Sequence, residues 1–568
     1  MNIRFHARDF DPVVAHRLHL LGLPVPLARV LAARGIASET ELSLSTRQML
    51  APQTLFQTAQ AARLLADAIE AQRRLLIVAD YDCDGATACA VAVRGLRAMG
   101  ARVDYLVPNR FEFGYGLTPE LVELAARRQP DLLITVDNGI ASVEGVDRAN
   151  ALGIDVLITD HHLPAGRLPA ARAIVNPNQP ECGFASKNLA GVGVMFYVLL
   201  QLRAELRARG HFDETSQPRL DVLLDLVALG TVADLVQLDR NNRILVQAGL
   251  ERIRRGTMHA GVAALFRVAG RDARTASAAD LGFALGPRIN AAGRLTDMTQ
   301  GIECLLTDDV ERALELAQRL DSLNQERRQI EADMQLSAEA HLDAAKVNDD
   351  SLAQRRTITI YREDWHPGVV GLIASRIKER HHRPTIAFAP ADALWLRGSG
   401  RSIEGVHLRD LLDRVTKSAP NLIARFGGHA MAAGLTIRND ALEEFTRAFE
   451  QAARELTDPA LFTRTLATDG ALAAGEITHS LVEAINGIVW GQGFAEPLFA
   501  NEFDVLEQRI VKGQHLQLTL ALEGRRWPAI WFRHVQTLPD RARLAYRPVI
   551  DEFRGQRRVS LRIEQMSM

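Results

Sequence analysis

The sequence of 568 residues predicts an α/β fold: two α/β domains joined by a long helix, followed by a small all-β barrel. Three observations lead there. Between 74 and 160, short apolar runs ("RLLIVAD", "RVDYLVP", "DLLITVD", "DVLITD") alternate with helical stretches such as "ATACAVAVRGLRAMG". Alternation of this kind builds a parallel sheet with helices on both faces. Near 309–346 a long helical pattern carries charge all around, which suits a connector better than a core element. Beyond about 460 the text turns strand-like ("EFDVLEQRIV", "HLQLTLAL", "PAIWFR", "ARLAYRPVI", "RVSLRIEQM"), with Gly and charged turns between the runs.

Taken in order, residues 1–70 read as a helical lead-in, with apolar residues at helical spacing in "AHRLHLLGLPVPLARVLAARG" and "TAQAARLLADAIEAQ". The first α/β domain spans 71–240, a helical region with the connecting helix 241–350, the second α/β domain 351–457 and the barrel 458–568. A chain of this length is too long for one core. Apolar residues at 47% and charged residues at 24% are ordinary for a globular protein. No apolar stretch approaches the ~18 residues of a membrane span, and "MNIRFHARDFDPVV" lacks the layout of a signal peptide. Cys83, Cys89, Cys182 and Cys304 form no C-x-x-C pair. These features predict a reduced, cytoplasmic protein without a membrane partner. The net charge of −2 hides an asymmetry: Arg509 to Arg562 holds twelve Lys/Arg against four acids, a basic footprint on the barrel.

Ligands of an open parallel sheet bind beyond the carboxyl ends of its strands, so the residues after each apolar run matter. "LLIVA" is followed by Asp80, Asp82 and Asp84 at alternate positions, "LLITV" by Asp137, and "VLIT" by Asp160, His161 and His162. "VDYLVP" delivers Asn109 and Arg110. Like charges crowded together repel unless a cation lies between them. Carboxylates with one or two imidazoles suit Mn²⁺ or Mg²⁺. Several carboxylates exceed what one ion needs, so the economical reading is two divalent ions ~3.5–4 Å apart, activating water for phosphoryl displacement. Any one of these residues could be a helix cap; independent caps would not all fall at strand ends.

"DYDCDG", "VDNG" and "TDHH" resemble successive motifs of the DHH phosphoesterase superfamily, named for the triplet found here as Asp160, His161 and His162. "LLDLVALGTVADLVQLDRNNR" resembles its fourth motif, with Asp234 as the completing ligand and Asp225, set among apolar neighbours, as the rival. Further matches, "LGFALGPRINAAGRLTD", "HPGVVGLIASRI", "GSGRSIEGVHL", "RFGGHAMAAGLTI" and "WGQGFAEPLF", resemble the bacterial RecJ family, in order from about 75 to 500. That resemblance implies a single-strand-specific 5′→3′ DNA exonuclease of recombination and repair that releases 5′-mononucleotides. It also implies a DHH domain at 71–240, a DHHA1 substrate domain at 351–457 and an oligonucleotide-binding (OB-like) fold at 458–568.

By the same resemblance, Asp82, Asp84, Asp137, His161 and Asp234 hold the metals, with Asp137 as the bridge. Asp80 shares their face and either binds metal or supports the ligands from behind. Asp137 and His162 are the catalytic pair, His162 steadying the scissile phosphate or protonating the leaving oxygen. Arg110, Arg288, Ser399, Arg401, Gly428 and His429 are expected to grip phosphate, the glycines of "GSGRS" (398–402) and "FGGHA" (426–430) letting backbone N–H groups approach closely. For the arginines, salt-bridging within the fold is the plain alternative. Trp527, Trp531, Phe532, Tyr546 and Phe553 offer stacking platforms for bases, though most aromatics in a small barrel are core. The α/β domains would wall a cleft taking single-stranded DNA, with a helicase or single-strand-binding protein as partner. A DHH phosphodiesterase of short RNAs or cyclic dinucleotides is the alternative, but it needs no basic barrel.

Overall fold

The computed structural model describes residues 3–109, 113–164, 166–348, 354–553 and 556–567. The chain forms two compact units, one of Phe10–Asn324 with Thr478–Pro497, the other of Met1–Asp9, Gln325–Ile477 and Leu498–Met568. Among the described residues no helix is long and apolar enough to cross a membrane.

The first unit is built on a five-stranded parallel sheet. Arg74–Ala79 lies between Arg102–Leu106 and Leu132–Val136, and Asp155–Thr159 and Ala173–Val175 extend the sheet beyond the latter. Leu132–Val136 is buried along its whole length, as a strand covered on both faces must be. Chain order along the sheet is 2-1-3-4-5, so the connections reverse direction between Arg74–Ala79 and Leu132–Val136. A crevice opens at such a switch point, beyond the strands' carboxyl ends. Asp80–Asp84 and Asp137 sit on its two sides.

The second unit holds a mixed five-stranded sheet in the order Arg425–Gly428, Ala432–Arg438, Trp395–Arg401, Thr385–Pro390, Ile358–Tyr361. Leu396, Phe388 and Leu435 join one core cluster with Phe445 and Phe449 of the Leu442–Leu456 helix. Ile360, Ala387 and Ala389 join another with Ile373 and Ile377 of the Val370–His381 helix. The connecting helix, Val310–Asn348, is 39 residues long. It is less uniformly polar than its text: Ala313, Leu316, Ala317 and Leu320 are buried in the first unit, and Met334 and Ala338 in the second.

The barrel is closed by Phe499–Val511, His515–Leu522, Arg525–Trp531, Gln556–Ser567 and Arg541–Phe553 in that order. Its pairings are antiparallel except for Arg525–Trp531 against Gln556–Ser567. The strands begin only at Phe499. The segment from 458 carries a strand, Thr465–Thr468, and a helix, His479–Asn486, whose apolar residues in "LVEAI" follow helical spacing. Thr465–Thr468 pairs in parallel with Arg4–Ala7, a strand inside the stretch read as helical. Four residues whose partner lies some 460 positions away leave no periodic signal.

Of the barrel aromatics, Tyr546 is fully buried, its hydroxyl donating to Asn501 (2.9 Å) and its ring edge-on to Phe503; Trp527 is buried too. Both are core, not stacking platforms. Trp531 stacks on His534, and Phe532 is half exposed. The Phe553 side chain and Arg110 lie outside the described residues.

Strand alternation fixes the "GSGRS" text. Gly398 and Gly400 point into the core, where an added Cβ at 398 would stand 2.5 Å from the Phe388 ring. We expect Gly398→Ala to cost about 1–3 kcal/mol by overpacking. Gly427→Ala, whose Cβ would meet nothing within 4 Å, should be near neutral. Urea denaturation of the two variants beside the parent measures the contrast.

Candidate metal centre

Asp80 ends the first strand's run, and Asp82 caps the Cys83–Ala98 helix by accepting from Gly85 N (3.0 Å). The turn is tight: a Cβ on Gly85 would fall 2.5 Å from the Asp80 carbonyl oxygen. Asp84, in the first helical turn, is buried and accepts from Gly191 N (2.5 Å) and Val192 N (2.9 Å). It thereby satisfies free N–H groups at the start of the Gly191–Ala208 helix. Across the switch point Asp137 holds a left-handed backbone (φ 63°). Asn138 pins it by donating to Val78 O and Val136 O. Strain of this kind at a non-glycine residue persists where the surroundings fix it, and such residues cluster at functional sites.

From the fourth strand come His161 and His162, while Asp234 follows the Leu224–Ala233 helix. His161 Nε2 is 3.1 Å from Asp137 Oδ1, 3.5 Å from Asp234 Oδ2 and 3.9 Å from Asp84 Oδ2. Three candidate ligand sets emerge, Asp84–His161–Asp234, Asp80–Asp82–Asp137 and Asp137–His161–His162, each with donor atoms within 4.8 Å of one another. Asp137 belongs to the last two and reaches the first through His161. The structure thus brings Asp80, Asp82, Asp84, Asp137, His161 and Asp234 to one place.

These residues fit a divalent cation. Asp137 Oδ1 and His161 Nε2 are buried without a hydrogen-bond partner, and a buried polar atom left unsatisfied is costly. Burial and then neighbouring carboxylates raise Asp137 and Asp234 well above the usual carboxylate range. Burial and then Asp82 push Asp84 up to about 7. Burial, then the charge on His162, hold His161 down at about 4, so it is a neutral imidazole with a lone pair to give. Hard oxygen donors with one imidazole suit Mn²⁺ or Mg²⁺.

Asp160 stands apart from the ligands. It accepts from Ile140 N, His161 N and His162 N, and from His162 Nδ1 at 2.8 Å. Burial opposes its ionisation, yet the His162 bond and charge hold it below the ordinary value. Burial likewise opposes charge on His162, but the Asp160 hydrogen bond and surrounding carboxylates raise it to about 9. Asn176 and Asn178 donate to the carbonyls of His162 and His161, fixing the turn. Tyr115 OH lies 3.1 Å from His162 Nδ1 and 3.2 Å from Nε2. Asp225 is fully buried and holds His259 through its N–H (2.7 Å) and Nδ1 (2.9 Å). It does not join the cluster.

Sequence reasoning missed the glycines that admit the ligands. A Cβ on Gly191 would meet the Asp137 side chain at 2.6 Å, and one on Gly230 would meet Thr87 Oγ1 at 2.1 Å and Asp84 Oδ1 at 3.0 Å. It also missed Asn290, which accepts from Cys83 N (2.7 Å). Their only text signal is a small or amide residue in a helical run.

The expected phosphate residues divide. Arg288 is committed to Asp321 (2.8 Å) and Ala284 O (2.6 Å), the intramolecular alternative. In the second unit, Ser399 and Arg401 project from one face of their strand, opposite the core glycines. Arg401 Nη1 donates to Ser399 Oγ (3.2 Å) and Gly400 O (2.8 Å), and burial lowers its pKa. A Cβ on Gly371 would come 2.9 Å from Ser399 Oγ and 3.1 Å from Arg401 Nη2, so glycine there leaves them room. Gly398 and Gly400 are explained by packing, not by close approach of backbone to phosphate. Gly428 (φ 146°) and His429 open the hairpin turn, which His429 N closes on Ala432 O (2.8 Å).

Asp225→Ala should lose roughly 1–3 kcal/mol of stability by orphaning the His259 donors while still binding Mn²⁺. Asp234→Ala should lose Mn²⁺ without that penalty. Thermal melts with and without Mn²⁺ separate the two aspartates.

The family description "DHH family, N-terminal domain" matches residues 74–231, "DHHA1 domain" 354–455 and "RecJ OB domain" 468–565. The chain is 47% identical over 562 residues to the single-stranded-DNA-specific exonuclease RecJ of Escherichia coli, covering 96% of each chain. It is similar to crystal structures of Thermus thermophilus RecJ in complex with Mn²⁺ (TM-score 0.83, 28% identity) and with Mg²⁺ (0.79, 26%). Each alignment covers 100% of this chain and 79% of the other. With that identity over nearly its whole length, the chain belongs to the RecJ family.

Proposed function

We propose that this chain is a single-strand-specific DNA exonuclease that works 5′→3′ and releases 5′-mononucleotides at two divalent ions, Mn²⁺ or Mg²⁺. The observation that carries the reading is the cluster of ligand sets around Asp137, which belongs to two of them and lies 3.1 Å from His161 of the third. Two such ions, when bound, would supply an activated water and neutralise charge on the scissile phosphate.

The chain's own residues do the rest. Asp80, Asp82 and Asp137 would hold one ion and Asp84, His161 and Asp234 the other, with Asp137 Oδ1 3.1 Å from His161 Nε2. Asp84 Oδ1 and Oδ2 are anchored by backbone N–H groups, which fixes their aim. His161 stays neutral and able to coordinate. Asp160 orients His162 through Nδ1, leaving a cationic ring to steady the phosphate and give a proton to the leaving oxygen. No Ser or Cys nucleophile is required: Cys83 and Cys89 are buried, and burial raises both thiols, Cys83 well above the usual value.

Ser399, Arg401 and His429 bind the phosphate of the strand's 5′ end. Among the described residues the Arg401 side chain makes two hydrogen bonds, both from Nη1, leaving donors of its five-donor fork for a charge-assisted pair. The OB barrel's basic surface, with Trp531 and Phe532 outward of the core, takes up the strand. We place the enzyme in the cytoplasm, in DNA recombination and repair, beside a helicase or single-strand-binding protein.

The test follows 5′-phosphorylated single-stranded DNA labelled at either end, with Mn²⁺, Mg²⁺ or EDTA. Mononucleotides should leave from the 5′ end, only with metal, and not from blunt duplex. Asp137→Ala should lower kcat on the order of 10³-fold; intact DNA under every metal condition would overturn the reading. Arg401→Ala should raise KM roughly 10–100-fold through one lost charged hydrogen bond, with kcat changed little. Equal KM for parent and variant would remove Arg401 from the grip.

A further inference from the structure

The "WGQGFAEPLF" stretch takes no part in the metal centre, yet it lines a cavity in the first unit. Residues 478–497 return there, and Leu238 N donates to Gln492 O (2.7 Å). Trp490 and Phe494 stack with ring centroids 5.2 Å apart. The Arg34 guanidinium lies over Trp490 at 5.8 Å, and that of Arg243 over Phe494 at 4.1 Å. Between them is a cavity of about 250 Å³, lined by Arg34, Glu41, Asp239, Arg240, Arg243 and Phe494 among others.

The charges here are unequally matched. Glu41 spends its carboxylate on Ala37 N, Ser38 N and Ser38 Oγ. Asp239 spends its own on Asn242 N, Ser186 Oγ and Asn188 Nδ2. Arg34 donates to Ala495 O and Val30 O, and Arg240 to Thr40 O and Gln48 Oε1. Arg243 is the exception. It is only 5% exposed, and its side chain has no hydrogen bond or ion pair among the described residues; Nε is buried without an acceptor. Two acidic neighbours act on it only through space, and Arg240 opposes them. A guanidinium that is always charged is costly to bury without a counter-charge.

We propose that this cavity is an anion site for a terminal phosphate, inorganic or on a mononucleotide, held by Arg243 with Arg34 and Arg240. Three planar forks around one small cavity match a tetrahedral oxyanion. A terminal group is required because Arg243 is too enclosed for the backbone of a passing strand to reach.

The test uses the full chain in EDTA, so that no metal-borne phosphate contributes. Inorganic phosphate and a 5′-mononucleotide are titrated separately while thermal stability is followed, for the parent, Arg243→Met and Arg401→Ala. We expect apparent phosphate affinity to fall at least tenfold in Arg243→Met and to persist in Arg401→Ala. Response to the nucleotide but not to inorganic phosphate would identify the nucleotide as the source; the reverse would identify the free ion. Equal stabilisation of the parent and Arg243→Met, or none in the parent, would overturn the site. Should Arg243→Met fail to fold, crystals of the parent soaked in tungstate decide. An anomalous peak beside Arg243 supports the proposal, and its absence there contradicts it. The nuclease reading predicts neither result, so the two can fail independently.

Discussion

Repulsion among buried carboxylates is the constraint on which the catalytic unit is organised. Asp80, Asp84 and Asp137 are almost fully buried, with Asp82 and Asp234 beside them. Such a group cannot keep its charge in a low-dielectric interior without compensation. A folded chain has three ways out: protonation, hydrogen bonds from backbone, or cations. The backbone supplies part of the answer. Asp84 rests on two helical N–H groups, and Asp82 on one. What it does not reach is Asp137 Oδ1 and His161 Nε2, 3.1 Å apart and both without a hydrogen-bond partner, where a bound cation would supply the compensation.

That requirement propagates outward through small residues. The carboxylates meet only if the helices starting at Cys83 and Gly191, and the one ending near Asp234, approach closely. Gly85, Gly191 and Gly230 are the places where a Cβ would prevent it. Asn138, Asn176, Asn178 and Asn290 then tie the turns with amide hydrogen bonds. Asp160 shows the division of labour: it carries the same charge as its neighbours but is saturated by N–H donors, and it governs His162 instead of a metal.

The parallel sheet and the rim of ligands were legible because both rest on local signals. An apolar run of five residues followed by Asp or His places that side chain at a strand end whatever the rest of the chain does. Asp234 against Asp225 was not decidable by that reasoning, since both sit on one helical stretch. The distinction lies in His259, 34 positions from Asp225, and sequence spacing does not reveal such a partner. The glycines of "GSGRS" were misread for a related reason. Their motif suggested phosphate, whereas strand alternation buries Gly398 and Gly400 and turns Ser399 and Arg401 the other way. Tyr546 and Trp527 were offered as platforms and proved to be core, because closure of the barrel decides which alternate residues point inward. Arg4–Ala7 escaped notice for want of any local pattern.

The central claim is that two cations share Asp137. Electron paramagnetic resonance of the full chain titrated with Mn²⁺ addresses it directly. Sharing of one carboxylate predicts that, as the second equivalent binds, the separate-ion signal gives way to that of a spin-coupled pair. Saturation at one equivalent, or two equivalents that keep the spectrum of isolated ions, would contradict it.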